Sequence, residues 1–405
     1  MSDLAHLKIW DDPAIRDALS WYLDVAENRR PAKFRIAATL ATQIDPVASS
    51  ENALWAELDR LTPIFVRRWQ AIRAGAALPA ATADGPSLLE VCRELAYRML
   101  AHCNFCPWNC RVDRMAGAKL GACKLASASR VSSYFHHTGE ELFYRGTEGS
   151  GTIFFTSCNM RCAFCQNGDI STDKDNGEET DPRTLAAMAW TLRREGCHNI
   201  NWVGGEVVIH LQAIVDAIAL LGRDFTPTQV ELGRARRTKA DRLFWFDEVP
   251  DQALYEGKFN APMLWNSNFF MTLESMKILR MLTDVWLPDP GRCAMTLAKT
   301  PWYWETVTRN LALIAEWGED YSIRHLVMPN HPVLEWIAEH VPAAPINVMA
   351  QFHPDNFCDP ASAKYRDRYA EIARRPSRAE LNNSWRRARE LGLKFETSTF
   401  ERRNT

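Results

Sequence analysis

TIFFTSCNMRCAFCQNGDIS, residues 152–171, joins an apolar run, Ile153-Phe154-Phe155, to three cysteines spaced C-x3-C-x2-C: Cys158, Cys162 and Cys165. The run reads as a buried strand, and the cysteines begin where it ends. Three thiolates on one short loop can wrap one corner of an iron–sulfur cube and leave its fourth iron open to another ligand. A zinc knuckle or three buried structural cysteines would use the same residue type, although zinc usually takes a fourth protein ligand.

Working outward, the 405 residues suffice for a large core and suggest two or three structural units. A net charge of -2 supplies no basic field for nucleic acid. No uninterrupted apolar stretch of about 18 residues or more occurs, and the start MSDLAHLKIWDD does not read as a signal peptide, so a soluble cytoplasmic chain outside the membrane is expected. Eleven cysteines, clustered in such a chain, suggest metal in place of disulfides. Fifteen dispersed tryptophans read as packing and pocket lining, because no basic stripe accompanies them.

Upstream, Ala14–Ala26 and Asn52–Trp69 carry helical periodicity, with Ile15, Leu19, Tyr22 and Leu23 on one face and Leu54, Leu58, Leu61 and Phe65 on another. Residues 1–100 are expected to be a helical N-terminal extension that either caps the remainder or mediates homodimerisation. It contains an Ala/Gly/Pro-rich linker at 76–86 and ends in a helix over Ser87–Leu100. Residues 101–150 form a cysteine-rich connecting segment, in which Cys103, Cys106, Cys110 and Cys123 are spaced x2, x3 and x12. Four thiolates at this spacing make either a tetrahedral zinc site or a fully ligated iron–sulfur cluster, serving as a staple or as an electron relay. His136, His137, Glu140 and Glu141 follow, a group that either binds metal or hydrogen-bonds locally.

From Gly151 onward, short apolar strands alternate with amphipathic helices. Strands are predicted at Thr152–Phe155, Asn199–Val203, Gln229–Leu232, Met263–Trp265, Val285–Leu287, Ser322–Met328 and Ile346–Gln351. Helices are predicted at Thr184–Glu195, Val207–Leu221 and Arg378–Leu391. Such βα units imply an α/β fold with a parallel sheet, and their number suits a partial barrel over 151–405, with reactive groups on loops at the C-terminal strand ends. Gly204-Gly205-Glu206 falls on one such loop, Asn266-Ser267-Asn268 on another, and Asp289-Pro290-Gly291-Arg292-Cys293 on a third. Two glycines at a strand end let a ligand approach backbone amides, and Glu206 offers a carboxylate.

The C-x3-C-x2-C loop, with Phe164 before its last cysteine, resembles the signature of the radical S-adenosylmethionine (SAM) superfamily. The resemblance extends over about residues 100–400, through GEELFYRGTEGSGTIFF, NINWVGGE, IRHLVMP and INVMAQFHP, to the branch similar to pyruvate formate-lyase activating enzyme. It implies an incomplete (β/α)6 barrel. It further implies a [4Fe-4S] cluster on Cys158, Cys162 and Cys165 whose open iron takes SAM, and a 5′-deoxyadenosyl radical that abstracts a substrate hydrogen. On the same pattern Gly204, Gly205 and Glu206 bind the SAM amino group, while Asn266, Ser267 and Asp289 hold its carboxylate and ribose, in some members with a monovalent cation. The sequence departs where Phe269 replaces a glycine and Gly291 a lysine, with Arg292 offering the missing charge in a different geometry.

After radical formation three outcomes are open. An epimerase of carbohydrate, natural-product or other small-molecule metabolism needs a thiol hydrogen donor; Cys293 past the fifth strand is the first candidate and Cys358 the reserve. An activating enzyme would instead place a glycyl radical on a partner protein. A non-catalytic iron–sulfur scaffold would require a decayed SAM pocket. Catalysis implies an electron donor such as flavodoxin or ferredoxin. Arg324, His325 and His353 are the substrate-side candidates.

Overall fold

The Ile153–Phe155 run is a strand, as its residues predict, and it lies inside a mixed sheet. The computed structural model describes residues 9–79, 85–236, 239–240, 253–288, 300–329 and 333–399. We label its principal strands β1 (Ser129–His137), β2 (Ser150–Phe155), β3 (Glu178–Thr180), β4 (Ile200–Gly204), β5 (Met263–Ser267), β6 (Val285–Pro288), β7 (Ile323–Leu326) and β8 (Ile346–Met349). The sheet runs β3-β1-β2-β4-β5-β6. Pairing is parallel from β2 through β6, whereas β1 is antiparallel to both β2 and β3. β7 and β8 form a parallel pair of their own. One parallel bridge, Trp286 to Tyr321, links them to β6; there Trp286 N donates to Asp320 O (3.0 Å) and Ser322 N to Trp286 O (3.1 Å).

One sequence expectation needs correction. Gln229–Leu232 is not a strand but the start of a helix, Gln229–Ala235, because Thr228 and Glu231 form a reciprocal capping box. The segment holding His136 and His137, to which the sequence reading gives no element, is the end of β1, whose register shifts between Val131 and Ser133. That bulge breaks the period-2 alternation by which a half-buried strand is read.

The N-terminal helices form where the periodicity places them, with Asp12 capping Pro13–Ala18, Ser50 capping Glu51–Arg73 and a capping box at Ser87 opening Leu88–Ala101. Their apolar faces join the main body. Trp21, Phe34, Leu58 and Phe65 lie in the same hydrophobic cluster as Trp202, Ile214 and Trp265. Ile15, Leu19, Tyr22 and Leu23 pack against Leu264, Val285 and Leu287 of β5 and β6. Polar anchors fix the docking: the fully buried Lys33 pairs with the fully buried Glu319, Trp21 Nε1 donates to Asp284 (2.8 Å), and Arg73 pairs with Asp320 (2.8 Å). Among the described residues no helix is long and apolar enough to cross a membrane.

Candidate active site

The C-terminal ends of the parallel strands surround a cavity of about 340 Å³. Cys158, Cys162 and Cys165 line it, together with Gly204, Gly205, Glu206, Asn266, Ser267 and Asn268. Segments distant in the chain thus share one space because parallel βα units deliver every such loop to the same end.

The cysteine loop is rooted in tight backbone packing. Ser157, its first turn, sits at φ +64°, a region costly for a non-glycine residue. Gly205 N donates to Phe155 O (2.8 Å) and Glu206 N to Ser157 O (3.0 Å). A Cβ on Gly204 would lie 2.2 Å from Phe155 O, and one on Gly205 would lie 1.7 Å from Ser157 O. The two glycines therefore admit the root of the cysteine loop itself, a nearer demand than the ligand approach expected from sequence.

Glu206 is buried and ties the neighbouring loop in place: it accepts from Ser267 Oγ (2.7 Å), Asn268 N (2.9 Å) and Val208 N (3.0 Å). Burial pushes its carboxyl up to about 6 against those donors. Burial, followed by the nearby Glu206 charge, also pushes the Cys158 thiol up. Asn268 Nδ2 reaches Asn159 Oδ1 (2.9 Å) and lies 3.8 Å from Cys158 Sγ. Phe269, where the resemblance has glycine, keeps a glycine-like φ of +61° and packs edge-on against Trp286 at 5.8 Å. A buried ring thus holds the strained backbone of this turn.

The opposite wall carries residues that sequence reasoning grouped differently. His136 Nε2 bonds Glu195 (2.7 Å) away from the cavity. His137 Nδ1 bonds Glu140 Oε1 (2.9 Å), and Arg324 of β7 pairs with Glu140 and with Glu141 (2.7 Å). Asn201 of β4 donates to Glu140 (3.0 Å) and Asn347 of β8 to Glu141 (2.8 Å). Burial alone would raise the Glu140 carboxyl, but Arg324 and His137 outweigh it and hold it at about 2. His137, Glu140 and Arg324 line the cavity, so one carboxylate orients both an imidazole and a guanidinium toward its interior. His325, the next residue on β7, points the other way, as strand alternation requires, and burial lowers its pKa to about 4. His353 bonds Gln166 of the cysteine loop (2.8 Å).

Cys358 is buried beside Ala163, Leu326 and Phe352, near Asp355 O (3.3 Å), and is not among the cavity-lining residues. Asp289, Gly291, Arg292 and Cys293 lie outside the described residues. Among the described residues no three histidine, cysteine or carboxylate side chains converge as one metal ion requires, and the His136–Glu141 group resolves into the pairs above. For the implied cluster and SAM the fit is better. The triad presents three thiols to a shared space, and Asn266, on its wall, holds a buried Nδ2 without a hydrogen-bond partner, ready for a ligand acceptor. The wall's histidine, glutamate and arginine could have been found in sequence only by pairing Glu140 with a residue 184 positions away.

A model of the radical SAM superfamily matches residues 152–243. The chain is 32% identical over 285 residues, 67% of its length and 71% of the relative's, to the uncharacterized protein MJ0674 of Methanocaldococcus jannaschii. Among solved structures, Streptococcus suis SuiB matches at 12% identity and a TM-score of 0.37, over 61% of this chain and 47% of SuiB. SuiB bound to S-adenosylmethionine matches at 13% identity and a TM-score of 0.36, over 61% and 48%. The chain spans about half the length of these structures.

Proposed function

Because the chain belongs to the radical SAM superfamily, we propose that it cleaves SAM reductively and abstracts a hydrogen atom from a small-molecule substrate lodged against the His137–Glu140–Arg324 wall. The observation that carries this reading is the single cavity shared by the cysteine triad, Gly204-Gly205-Glu206 and Asn266-Ser267-Asn268. A [4Fe-4S] cluster on Cys158, Cys162 and Cys165 would supply the electron that splits SAM into methionine and the hydrogen-abstracting 5′-deoxyadenosyl radical.

This chain's residues would do the rest. Glu206 gives a SAM ammonium group a carboxylate partner while fixing Ser267 and Asn268, and Asn266 offers its unpartnered Nδ2 to a SAM oxygen. Phe164 and Met160 keep water from the cluster side of the cavity. We read the six parallel strands β2, β4, β5, β6, β7 and β8, which follow one another in chain order, as the incomplete (β/α)6 barrel expected for the family, with the N-terminal helices as its extension.

For the fate of the substrate radical, epimerisation of a carbohydrate or other small molecule remains our first reading, and it rests on Cys293 as donor, since Cys358 does not line the cavity. Turnover in deuterated water should then place one deuterium at the inverted carbon, and Cys293→Ala should stop product without stopping SAM cleavage. A glycyl radical signal on a partner protein would favour the activating-enzyme reading instead. The proposal as a whole is tested by 5′-deoxyadenosine release from anaerobically reconstituted, reduced protein given SAM. Release that vanishes in Cys162→Ala supports it; no release from protein with an assembled cluster, with or without candidate substrates, overturns it.

A further inference from the structure

The cysteine segment 103–123 folds into a lobe that rests on the radical loop. Cys103, Cys106 and Cys123 are buried and within electrostatic reach of one another. Cys110 Sγ accepts from Ala122 N (3.5 Å), and a Cβ on Gly121 would lie 3.0 Å from it. Asn109, Arg111 and Lys124, the residues flanking Cys110 and following Cys123, all hold positive φ, of 42°, 52° and 61°. Strain at three non-glycine positions persists only where the surroundings over-determine it.

Beneath the lobe Arg114 is fully buried. Its guanidinium donates to Ala126 O (2.9 Å and 3.1 Å) and Ile209 O (2.9 Å), lies 4.0 Å from Cys103 Sγ, and among the described residues has no carboxylate partner. Carbonyl oxygens satisfy its N–H groups but not its charge, and a buried cation without a counter-charge is costly. A centre ligated by four thiolates carries net negative charge at that position, which Cys103 as a neutral thiol would not.

The lobe also touches the radical loop. Trp108 Nε1 donates to Asn159 O (2.6 Å), and its ring meets Phe270 edge-on at 6.2 Å. The Asn159 side chain lies near Cys106, and its Oδ1 accepts from Cys158 Sγ (3.8 Å). One asparagine thus stands between a cysteine of each group. The sulfurs of neither group converge as one ion requires, whereas a cube reaches further.

We infer that Cys103, Cys106, Cys110 and Cys123 hold a second, fully ligated iron–sulfur cluster that passes single electrons to the radical cluster across Asn159. A one-electron donor of the flavodoxin or ferredoxin class is oxidised as the second cluster is reduced, and that cluster is reoxidised as the radical cluster gains the electron. No bond or proton changes hands. The inference rests on the proposed radical chemistry only for the identity of the acceptor.

Metal analysis comes first. Anaerobically reconstituted protein should carry roughly eight irons per chain and Cys162→Ala should keep about four of them. One zinc with about four irons per chain would overturn the inference and leave the radical reading standing. With both clusters reduced, electron paramagnetic resonance should show spin–spin broadening that disappears in Cys162→Ala; two independent signals would overturn the contact. In stopped flow, reduced flavodoxin should reduce the radical cluster of Cys106→Ser at least an order of magnitude more slowly than that of the wild type. Trp108→Phe, which keeps the ring and deletes only the bond to Asn159, should slow it less, and equal rates in all three proteins would refute the relay. Two coupled clusters without 5′-deoxyadenosine release would refute the proposed function and leave this inference intact.

Discussion

The two cysteine groups meet at Asn159 yet are built oppositely. Cys158, Cys162 and Cys165 open onto a cavity whose charges are answered by carboxylates and amides: Arg324 by Glu140 and Glu141, and the Asn266 amide left for a ligand. Cys103, Cys106, Cys110 and Cys123 lie in one lobe whose Cys103 borders Arg114, a buried cation answered among the described residues by carbonyls and a sulfur. On the proposed reading, three ligands beside open space would leave an iron for chemistry, whereas four ligands beside a buried cation would leave none. Adjacent sites built from one residue type can thus divide into a reactive and a relay role through their surroundings alone.

The comparison breaks most sharply at the triad. Cys162→Ala should abolish 5′-deoxyadenosine formation, measured by chromatography of quenched reactions, while iron at the upstream group persists. Next in size is Gly205→Ala. Its Cβ would collide with Ser157 O, so the root of the cysteine loop must move, and urea unfolding should show a loss of about 4 kcal/mol or more. The same change should weaken cluster retention at the triad without removing the upstream centre.

Glu140→Gln should cost about 3–5 kcal/mol by the same measurement, since it removes one partner of a buried ionic network. The pH dependence sharpens this. The Glu140 carboxyl is held at about 2, below its unfolded value of about 4.3. Its contribution is therefore present above pH ~4.3 and is lost as pH falls through about 2. The stability gap between wild type and Glu140→Gln should narrow steadily across that window; a gap constant down to pH 2 would contradict the assignment.

The smallest effect on stability, within about 1 kcal/mol, is expected for His137→Gln, because the half-exposed ring gives up one hydrogen bond to Glu140. SAM cleavage in the absence of substrate should be unaffected, while substrate-dependent turnover should fall through a raised KM. An unchanged KM would remove His137 from the wall.

What could be read from sequence was what depends on local spacing. The C-x3-C-x2-C loop, Gly204-Gly205-Glu206 and Asn266-Ser267 each stand at or just past the C-terminal end of a short apolar strand, and parallel connectivity brings such ends together without further information. What could not be read depends on long-range pairing. The Lys33–Glu319 ion pair joins residues 286 positions apart and locks the N-terminal helices into the shared core, which no periodicity announces. β1 was hidden by its bulge, and with it the placement of His137 on the cavity wall. At Thr228–Glu231 a capping box outweighed a short alternating pattern, which is ambiguous over four residues. Phe269 stands out in the sequence only as a departure from the resemblance, whereas its positive φ and its buried packing against Trp286 depend on the folded surroundings.

The central claim is that the triad cluster, and not its neighbour, takes SAM. The most direct test is the electron paramagnetic resonance spectrum of the reduced protein before and after adding SAM. The account predicts that one cluster signal shifts on addition, that this signal is the one missing from Cys162→Ala, and that the other stays in place. A spectrum indifferent to SAM, or a shift that survives in Cys162→Ala, would contradict it.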